Sequence, residues 1–525
     1  MSDSTRRNPA FVRALLDPKA YPHRVPRVEL VETHISWVFL AGTRVYKVKK
    51  PVNVGFLDFS TLARRRFFCS EEVRLNRRLA PDIYLGVVEI RRSARGVRIG
   101  GGGRTLEVAV AMRRLPARRM LDRLVAAGAV DPVLMDRIGI FVAQFHAAAE
   151  TGGEIDALGG LDTVRRNWRE NFEQTDGLPP TVLTAVDRAA IQEYVETFMA
   201  SEAPRFDSRV AAGRSRDCHG DLQAQHVCCT DPIRVFDCIE FNHRFRFGDT
   251  AAEIAFLAMD LERLGRPDLA CRFLNAYLEE SGDYDAVPLL DFYRAYRAYV
   301  RGKVIGFQLA ARPELAREAR MFFDLAVRYA KHRAMPRLFV MTGVMGVGKS
   351  TVARVLAERI GAIVIRTDAV RKRLAGLPLR ARAGDKFGEG LYSAEMGRRT
   401  YAEALRIAAE LLAAGWSVVV DGTFSRSAER QAAADTAHHL GVPFHLIWCD
   451  APDAVIATRL RRRTGDRLEV SDGRVGLLAA HRLRYEPPRR ERSVVRVDAA
   501  RDAAANAERV LNAVGAIAGA GGGSS

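Results

Sequence analysis

The segment Gly343-Val344-Met345-Gly346-Val347-Gly348-Lys349-Ser350 constrains this chain more than any other. It fits G-x-x-x-x-G-K-[ST], follows the apolar run Leu338-Phe339-Val340-Met341-Thr342, and opens a stretch with helical periodicity. The glycines let backbone N–H groups turn inward around phosphate oxygens, and the positive end of the following helix adds its dipole. In such a loop Lys349 reaches the β- and γ-phosphates and the Ser350 hydroxyl holds Mg²⁺. Gly343, Gly346, Gly348 and Thr351 complete the predicted ATP site.

Beyond the loop, strands predicted at Ala362 to Arg366, Ser417 to Val420 and Phe444 to Trp448 alternate with helices. That order predicts a doubly wound parallel sheet covered by helices. Asp368 sits just past the second strand, where loops of such a sheet face the ligand crevice. A carboxylate there can take or orient an acceptor's hydroxyl proton, with capping of the next helix as the competing role. Asp421 ends the next strand and is placed to hold Mg²⁺ through water. Arg459 and Arg463 lie four apart on one helical face and are candidates to close over the transferring phosphate. Arg461 and Arg462 stand between them, so a solvated basic helix is the alternative.

Asp368-x-x-Arg371, Val418-Val419-Val420-Asp421-Gly422-Thr423-Phe424, the Arg459-to-Arg463 segment and Val470-Ser471-Asp472 together resemble small P-loop kinases. Their relatives are polynucleotide kinases, gluconate kinases, chloramphenicol phosphotransferases and zeta toxins. The likeness runs from about Pro336 to Val514. It implies ATP-dependent phosphorylation of a hydroxyl, with Asp368 as base or orienting acid and Arg371 as a substrate contact.

The first half reads as a small sheet lobe followed by a larger helical lobe. Strands are predicted at Ile35 to Leu40 and Arg44 to Lys49, a helix at Leu62 to Leu79, and strands at Tyr84 to Ile90 and Leu106 to Met112. Gly100 to Gly103 is the predicted hairpin tip between the last two. Helices are expected from Leu115 to about Arg209, a β-like island at Val235 to Phe241, and more helix through Tyr329.

Within this half, Cys218-His219-Gly220-Asp221-Leu222 resembles the catalytic loop of aminoglycoside phosphotransferases, which share the protein-kinase fold. The resemblance implies that Asp221 lies near the attacking hydroxyl. His226 occupies the position where that family has a metal-binding Asn, and Glu240 the place of its second acid, so both are candidate Mg²⁺ ligands. Lys47 stands where the kinase fold puts its phosphate-pairing lysine, with Glu72 as its ion-pair partner. Lys49, on the same strand face, remains open for that role. Nearly the full chain resembles a bacterial family of bifunctional aminoglycoside phosphotransferase/ATP-binding proteins.

The resulting organisation is an N-terminal extension at 1–26 and a kinase-like bilobal domain at 27–330. A linker at 331–336, a P-loop kinase domain at 337–515 and a Gly/Ser tail at 516–525 follow. At 525 residues two domains are the default. A net charge of +18 favours anionic partners, chiefly ATP and a small-molecule hydroxyl acceptor. Nucleic acid is the less favoured partner, because no dense basic tail or aromatic-interleaved patch is present. No apolar run approaches the roughly 20 residues a membrane helix needs, and Met1 to Asn8 lacks a signal-like stretch. A cytoplasmic enzyme without a membrane partner is therefore expected. The seven cysteines are scattered, and the cluster of Cys218, His219, Cys228 and Cys229 matches no common zinc spacing.

Overall fold

The computed structural model describes residues 8–55, 57–94, 96–332, 335–381, 390–463, 470–471, 475–489, 491 and 493–515. Two compact units emerge: 1–134 with 145–260 and 296–323, and 135–144 with 261–295 and 324–525. The 516–525 tail and two residues of the predicted linker lie outside the described residues. Among the described residues no helix is long and apolar enough to cross a membrane.

In the first unit, strands Val28–Glu32 (β1), Ser36–Ala41 (β2), Arg44–Lys49 (β3), Tyr84–Ser93 (β4), Gly96–Ile99 (β5) and Arg104–Arg113 (β6) form one sheet. All pairings are antiparallel, in the order β1-β2-β3-β6-β4-β5. Side chains alternate between its faces as a period of two requires. Val45, Val108 and Val110 pack with Cys69 and Val73 of the helix Leu62–Asn76. Phe39, Val48, Ala109 and Ala111 face the other way, onto Val12, Leu15 and Tyr21. Residues set aside in the sequence as an N-terminal extension thus supply fully buried side chains to this core.

Two short strands went unread in the sequence. β1 is an edge strand with a mostly exposed, acidic pattern. β5 is folded back on β4, so β4 lies between β5 and β6. Gly100 to Gly103 therefore joins β5 to β6, which are not neighbours, and is not a hairpin tip between paired strands. Gly103 (φ +117°) approaches the Arg92 carbonyl so closely that a Cβ would sit 2.3 Å from its oxygen.

The predicted β-like island also changes. Short ladders join Ser215–Asp217 (β7) to a later strand and Val227–Cys228 (β8) to Arg234–Val235 (β9), with Phe247–Asp249 (β10) as the partner of β7. The extended path stops near β9 because Asp237 takes a left-handed φ of +67°.

The second unit holds a five-stranded sheet of Leu338–Thr342 (β11), Ile363–Arg366 (β12), Val418–Asp421 (β13), Phe444–Asp450 (β14) and Val494–Asp498 (β15). Every pairing is parallel, in the order β12-β13-β11-β14-β15. Phe339, Met341, Val419, Ile447 and Val497 pack on Val352 and Leu356 of the helix Lys349–Ile360 and on Val510 and Leu511 near the C-terminus. β15 was not foreseen, since Arg496 breaks a short run at a sheet edge.

The helix Pro267–Ser281 precedes the P-loop by many residues yet belongs to this unit. Its Cys271 is part of the sheet's core, and Asn275 lies alongside edge strand β12. The Asn275 Oδ1 accepts from the Val364 amide at 2.6 Å, while its Nδ2 donates to the Ala362 carbonyl at 3.0 Å. One side chain thereby satisfies two backbone groups at the sheet edge.

Asn275→Ala should therefore lower the stability of the P-loop unit by about 2 kcal/mol, because two backbone partners are lost at once. Denaturant unfolding of the full chain, followed together with amide exchange of a peptide covering β12, measures this. An unchanged midpoint with unchanged β12 protection would rule the edge role out.

Candidate active sites

The P-loop leaves β11 with Gly343 at φ +142°, where a Cβ would lie 2.5 Å from the Cys449 carbonyl oxygen. Gly348 enters the next helix at φ +114°, and a Cβ there would meet Arg459 Nη1 at 2.8 Å. Only glycine fits both positions without displacing a neighbour. The Lys349 ammonium turns back into its own loop, donating to the carbonyls of Gly343 and Val344 at 3.0 Å each. Phosphate oxygens in the loop would offer it stronger, charged acceptors.

A cavity of about 530 Å³ opens in front of the loop. Lys349, Ser350, Asp368, Arg371 and Asp421 all line it, together with Gly346 and Gly348. Asp368 is held by Arg371, whose Nη1 donates to its Oδ1 at 2.9 Å, while the guanidinium lies over the Tyr392 ring at 5.2 Å. Asp421 is buried at the end of β13, with Arg366 Nε 3.6 Å from its Oδ2. The hydroxyl of Ser350 and the carboxylate of Asp421 are hard oxygen donors, the set that Mg²⁺ takes.

Two expected nucleotide contacts stand elsewhere. Thr351 is exposed and does not line the cavity. Arg459 donates to the Val347 carbonyl and, at 2.7 Å, to the Ala499 carbonyl, bracing the P-loop. The Arg463 side chain lies outside the described residues.

Sequence reasoning passed over Arg366 and His481, both buried and both lining the cavity. Burial, reinforced by the nearby Lys349 and Arg482 charges, pushes the His481 imidazole down to about 4, so it is neutral near pH 7. Arg366 was legible only as the last residue of a strand. Its hydrogen-bond partner Glu279 is far away in sequence.

In the first unit Lys47 and Lys49 share one face of β3, and both reach Glu72. Lys47 Nζ lies 2.9 Å from Glu72 Oε1 and 2.6 Å from Asp237 Oδ1. Lys49 donates to Glu72 Oε2 at 2.6 Å and also pairs with Glu240, deep in the protein. Burial opposes the charge on Glu72, but the two ammonium groups outweigh it and hold the carboxyl below its usual range. Burial likewise works against charged Asp237, yet Lys47 and then His226 keep that carboxyl well below the ordinary carboxylate range.

Asp221 and His226 lie together in the first unit. The His226 Nδ1 lies 2.8 Å from the Asp221 carbonyl oxygen and 3.5 Å from its Oδ2, while Gln223 donates to Asp221 Oδ1 at 2.6 Å. Across the ring, His226 Nε2 is 3.7 Å from Asp237 Oδ2. Asp237 thus reaches the Asp221 side of the cluster, whereas Glu240 is engaged with Lys49. Asp237 lies in the predicted Val235 to Phe241 island, and its left-handed backbone, unseen in sequence, swings it there. Two lysines against Asp221, Asp237, Glu72 and Glu240 leave a formal charge of −2, which suits a divalent cation.

Glu253 anchors the loop that carries Asp221. It accepts from the amides of His219 at 2.8 Å and Gly220 at 2.6 Å, and it contacts His146 Nε2 at 3.0 Å. Cys218 completes a buried His146, Cys218 and Glu253 group of metal-ligating type among the described residues. The Glu253 oxygens are already engaged by these donors, and the seven cysteines are buried and form no disulfide.

The comparisons find two family models in succession along the chain. A family model described as the phosphotransferase enzyme family, APH, matches residues 65–290. A model described as an AAA domain, AAA_33, matches residues 338–488. An uncharacterized protein of Mycobacterium tuberculosis (strain ATCC 25618 / H37Rv) is 37% identical over 483 residues, covering 89% of this chain and 94% of that one. A Mycobacterium bovis protein, also uncharacterized, matches with the same figures. Among solved structures, a gluconokinase from Sinorhizobium meliloti 1021 covers 35% of this chain and 95% of its own at 26% identity, with a TM-score of 0.25. A choline/ethanolamine kinase family protein from Mesorhizobium loti covers 61% of this chain and 98% of its own at 13% identity, with a TM-score of 0.36.

Burial would raise the Glu253 carboxyl, but its hydrogen bonds and the nearby imidazoles bring it down to about 2 from an ordinary 4.5. A depressed folded pKa stabilises fully above the unfolded value and is lost as pH falls towards the folded one. Glu253→Gln should then cost up to about 3 kcal/mol at pH 7, and the gap should shrink below pH 4.5. Denaturant midpoints of both proteins between pH 7 and 3.5 measure it, and a pH-independent gap would exclude the linkage.

Proposed function

The chain belongs to the family of two-domain phosphotransferases that joins an APH domain to a P-loop AAA-type domain, and on that premise we propose an ATP- and Mg²⁺-dependent kinase of a small-molecule hydroxyl. The P-loop site is the principal active site in this reading. The observation that carries it is the convergence of Lys349, Ser350, Asp368, Arg371 and Asp421 on one cavity.

Each residue has a task in phosphoryl transfer. Lys349 leaves its loop carbonyls to pair with phosphate charge, while loop amides hold the β-phosphate. Asp368, oriented by Arg371, takes the proton of the acceptor hydroxyl as that oxygen bonds to the γ-phosphorus. The bond from the γ-phosphorus to its bridging oxygen breaks, and ADP departs with the electron pair. When bound, Mg²⁺ neutralises charge on the phosphate oxygens, and Ser350 and Asp421 are the residues that fit it.

For the first unit, Asp221 is the acceptor-side acid and Lys47 the phosphate-pairing lysine in the same proposal. Asp237, beside Lys47, is the carboxylate that joins Asp221 in holding the cation. His226 orients Asp221, and Glu240 with Lys49 stabilises the cluster from below. A polynucleotide 5′-hydroxyl acceptor is the second reading, favoured by Arg371, Arg398, Arg426 and Arg484 along the cavity wall.

The test is incubation of a metabolite extract with ATP, read by mass spectrometry for wild type, Lys349→Ala and Asp221→Ala. Lys349→Ala should lower product formation by roughly a hundredfold or more, through lost charge stabilisation. Intact turnover in Lys349→Ala, with loss in Asp221→Ala, would reverse the ranking of the two sites. Phosphate transfer to a 5′-hydroxyl oligonucleotide, falling steeply with salt, would select the second reading.

For the first unit, Asp237→Asn should weaken Mg²⁺-dependent ATP binding about tenfold, while Glu240→Gln should chiefly lower stability. Calorimetric ATP titrations in a Lys349→Ala background, with and without Mg²⁺, separate these outcomes. Equal Mg²⁺ dependence in wild type and Asp237→Asn would remove Asp237 from the site.

A further inference from the structure

Arg366 ends β12 immediately before Thr367 and Asp368, and its guanidinium is buried between two carboxylates. Its Nη1 donates to Glu279 Oε1 at 2.9 Å, and its Nε lies 3.6 Å from Asp421 Oδ2. Glu279 comes from the helix Pro267–Ser281, within the part of the chain that the APH model matches. The same helix is fastened along this stretch by further contacts. Arg373 donates to the Glu279 carbonyl and Arg380 pairs with Glu280 at 2.7 Å, while just past the helix Tyr284 OH reaches the Val364 carbonyl at 3.4 Å.

The two sides of Arg366 are unequal. Glu279 receives a true hydrogen bond, whereas the Asp421 contact exceeds hydrogen-bond range and is Coulombic. A carboxylate that is to hold Mg²⁺ must be oriented but must keep its lone pairs available. Arg366 meets the first need by attraction, and Glu279 meets the second by drawing the guanidinium away from Asp421.

We infer that Glu279 is a positioning residue for the P-loop site, acting through Arg366 on the Asp421 carboxylate. This deepens the proposed function and rests on Asp421 being the Mg²⁺-holding acid. Without the Glu279 charge, Arg366 loses the hydrogen bond that draws its guanidinium away from Asp421. It closes on that carboxylate and competes with the cation. The P-loop site accordingly extends to a helix that precedes the loop by a long stretch of chain. Bound Mg²⁺ and the 267–281 helix are then coupled through one guanidinium.

The experiment is a calorimetric Mg²⁺ titration of the full chain with ATP bound, run beside a Mg²⁺ titration of ATP turnover. In each the part that Lys349→Ala abolishes is counted, and the calorimetric midpoint should shift as in turnover. In Glu279→Gln the Mg²⁺ concentration for half-maximal turnover should rise about tenfold, the loss typical of a broken outer-shell contact. Turnover at saturating Mg²⁺ should stay within about twofold of wild type, since the chemical step is untouched. Glu279→Asp, which keeps the charge, should recover part of the shift. Glu280→Gln, which removes an ion pair of the same helix not linked to Asp421, should leave the curve in place. Melting curves of each variant verify folding.

An unchanged Mg²⁺ midpoint in Glu279→Gln, with a large shift in Asp421→Asn, would overturn the inference and leave the proposed function standing. A fall in saturated turnover without a shift in midpoint would also overturn it, by making Glu279 a purely structural contact. No shift in Asp421→Asn would remove Asp421 as the Mg²⁺-holding acid and the inference with it.

Discussion

A parallel sheet ends in backbone groups that have no strand to pair with, and at β12 those groups determine how this protein is assembled. Strand β12 carries Arg366 at its end and delivers the chain directly to Asp368, so disorder at this edge would reach the cavity in front of the P-loop. The helix Pro267–Ser281 supplies the missing partner. Asn275 pairs with the strand's free amide and carbonyl groups, and Cys271 fills the core behind it. Water would satisfy the same groups but would leave the edge open to pairing with another chain. Covering the edge explains why residues 261–295 belong to the compact unit that holds the P-loop.

Charge is handled differently at the two sites. In the P-loop unit the important cation, Lys349, is tied to neutral carbonyls that phosphate readily replaces. In the first unit the lysines are tied to carboxylates, and three acids surround the pair Lys47 and Lys49. An ammonium so enclosed stays protonated against burial. It also surrenders less easily to an incoming phosphate, because the buried carboxylates would be left uncompensated. A cation held by Asp221 and Asp237 would ease that exchange by taking over the charge that Lys47 balances.

Much of this was readable in order along the chain. The P-loop, four of the five parallel strands, the sheet-then-helix order of the first half and the loop around Asp221 all follow from local patterns, because glycine spacing and side-chain periodicity are local properties. Edge strands were the weak point. β1, β5 and β15 bury little on one side, so the alternation that marks a strand is diluted by charged residues. Asp237 falls within the predicted Val235 to Phe241 island but drew no role there, since a left-handed backbone at a non-glycine residue has no sequence signature. Arg459 read equally well as a phosphate contact and as a structural arginine, and its donation to the Val347 carbonyl became visible only in three dimensions.

By itself, then, the sequence determined the chemistry available: a phosphate loop, an acid after the second strand, a catalytic-type loop with Asp221, and lysines on β3. Tertiary structure alone decided which of those groups share a site and how they are held. Asp237 rather than Glu240 lies beside His226, and Glu279 reaches Asp421 through Arg366. The physical reason is range. Helical and strand periodicity, turns and loop geometry are set within about ten residues, whereas a buried ion pair is set by packing between segments distant in sequence.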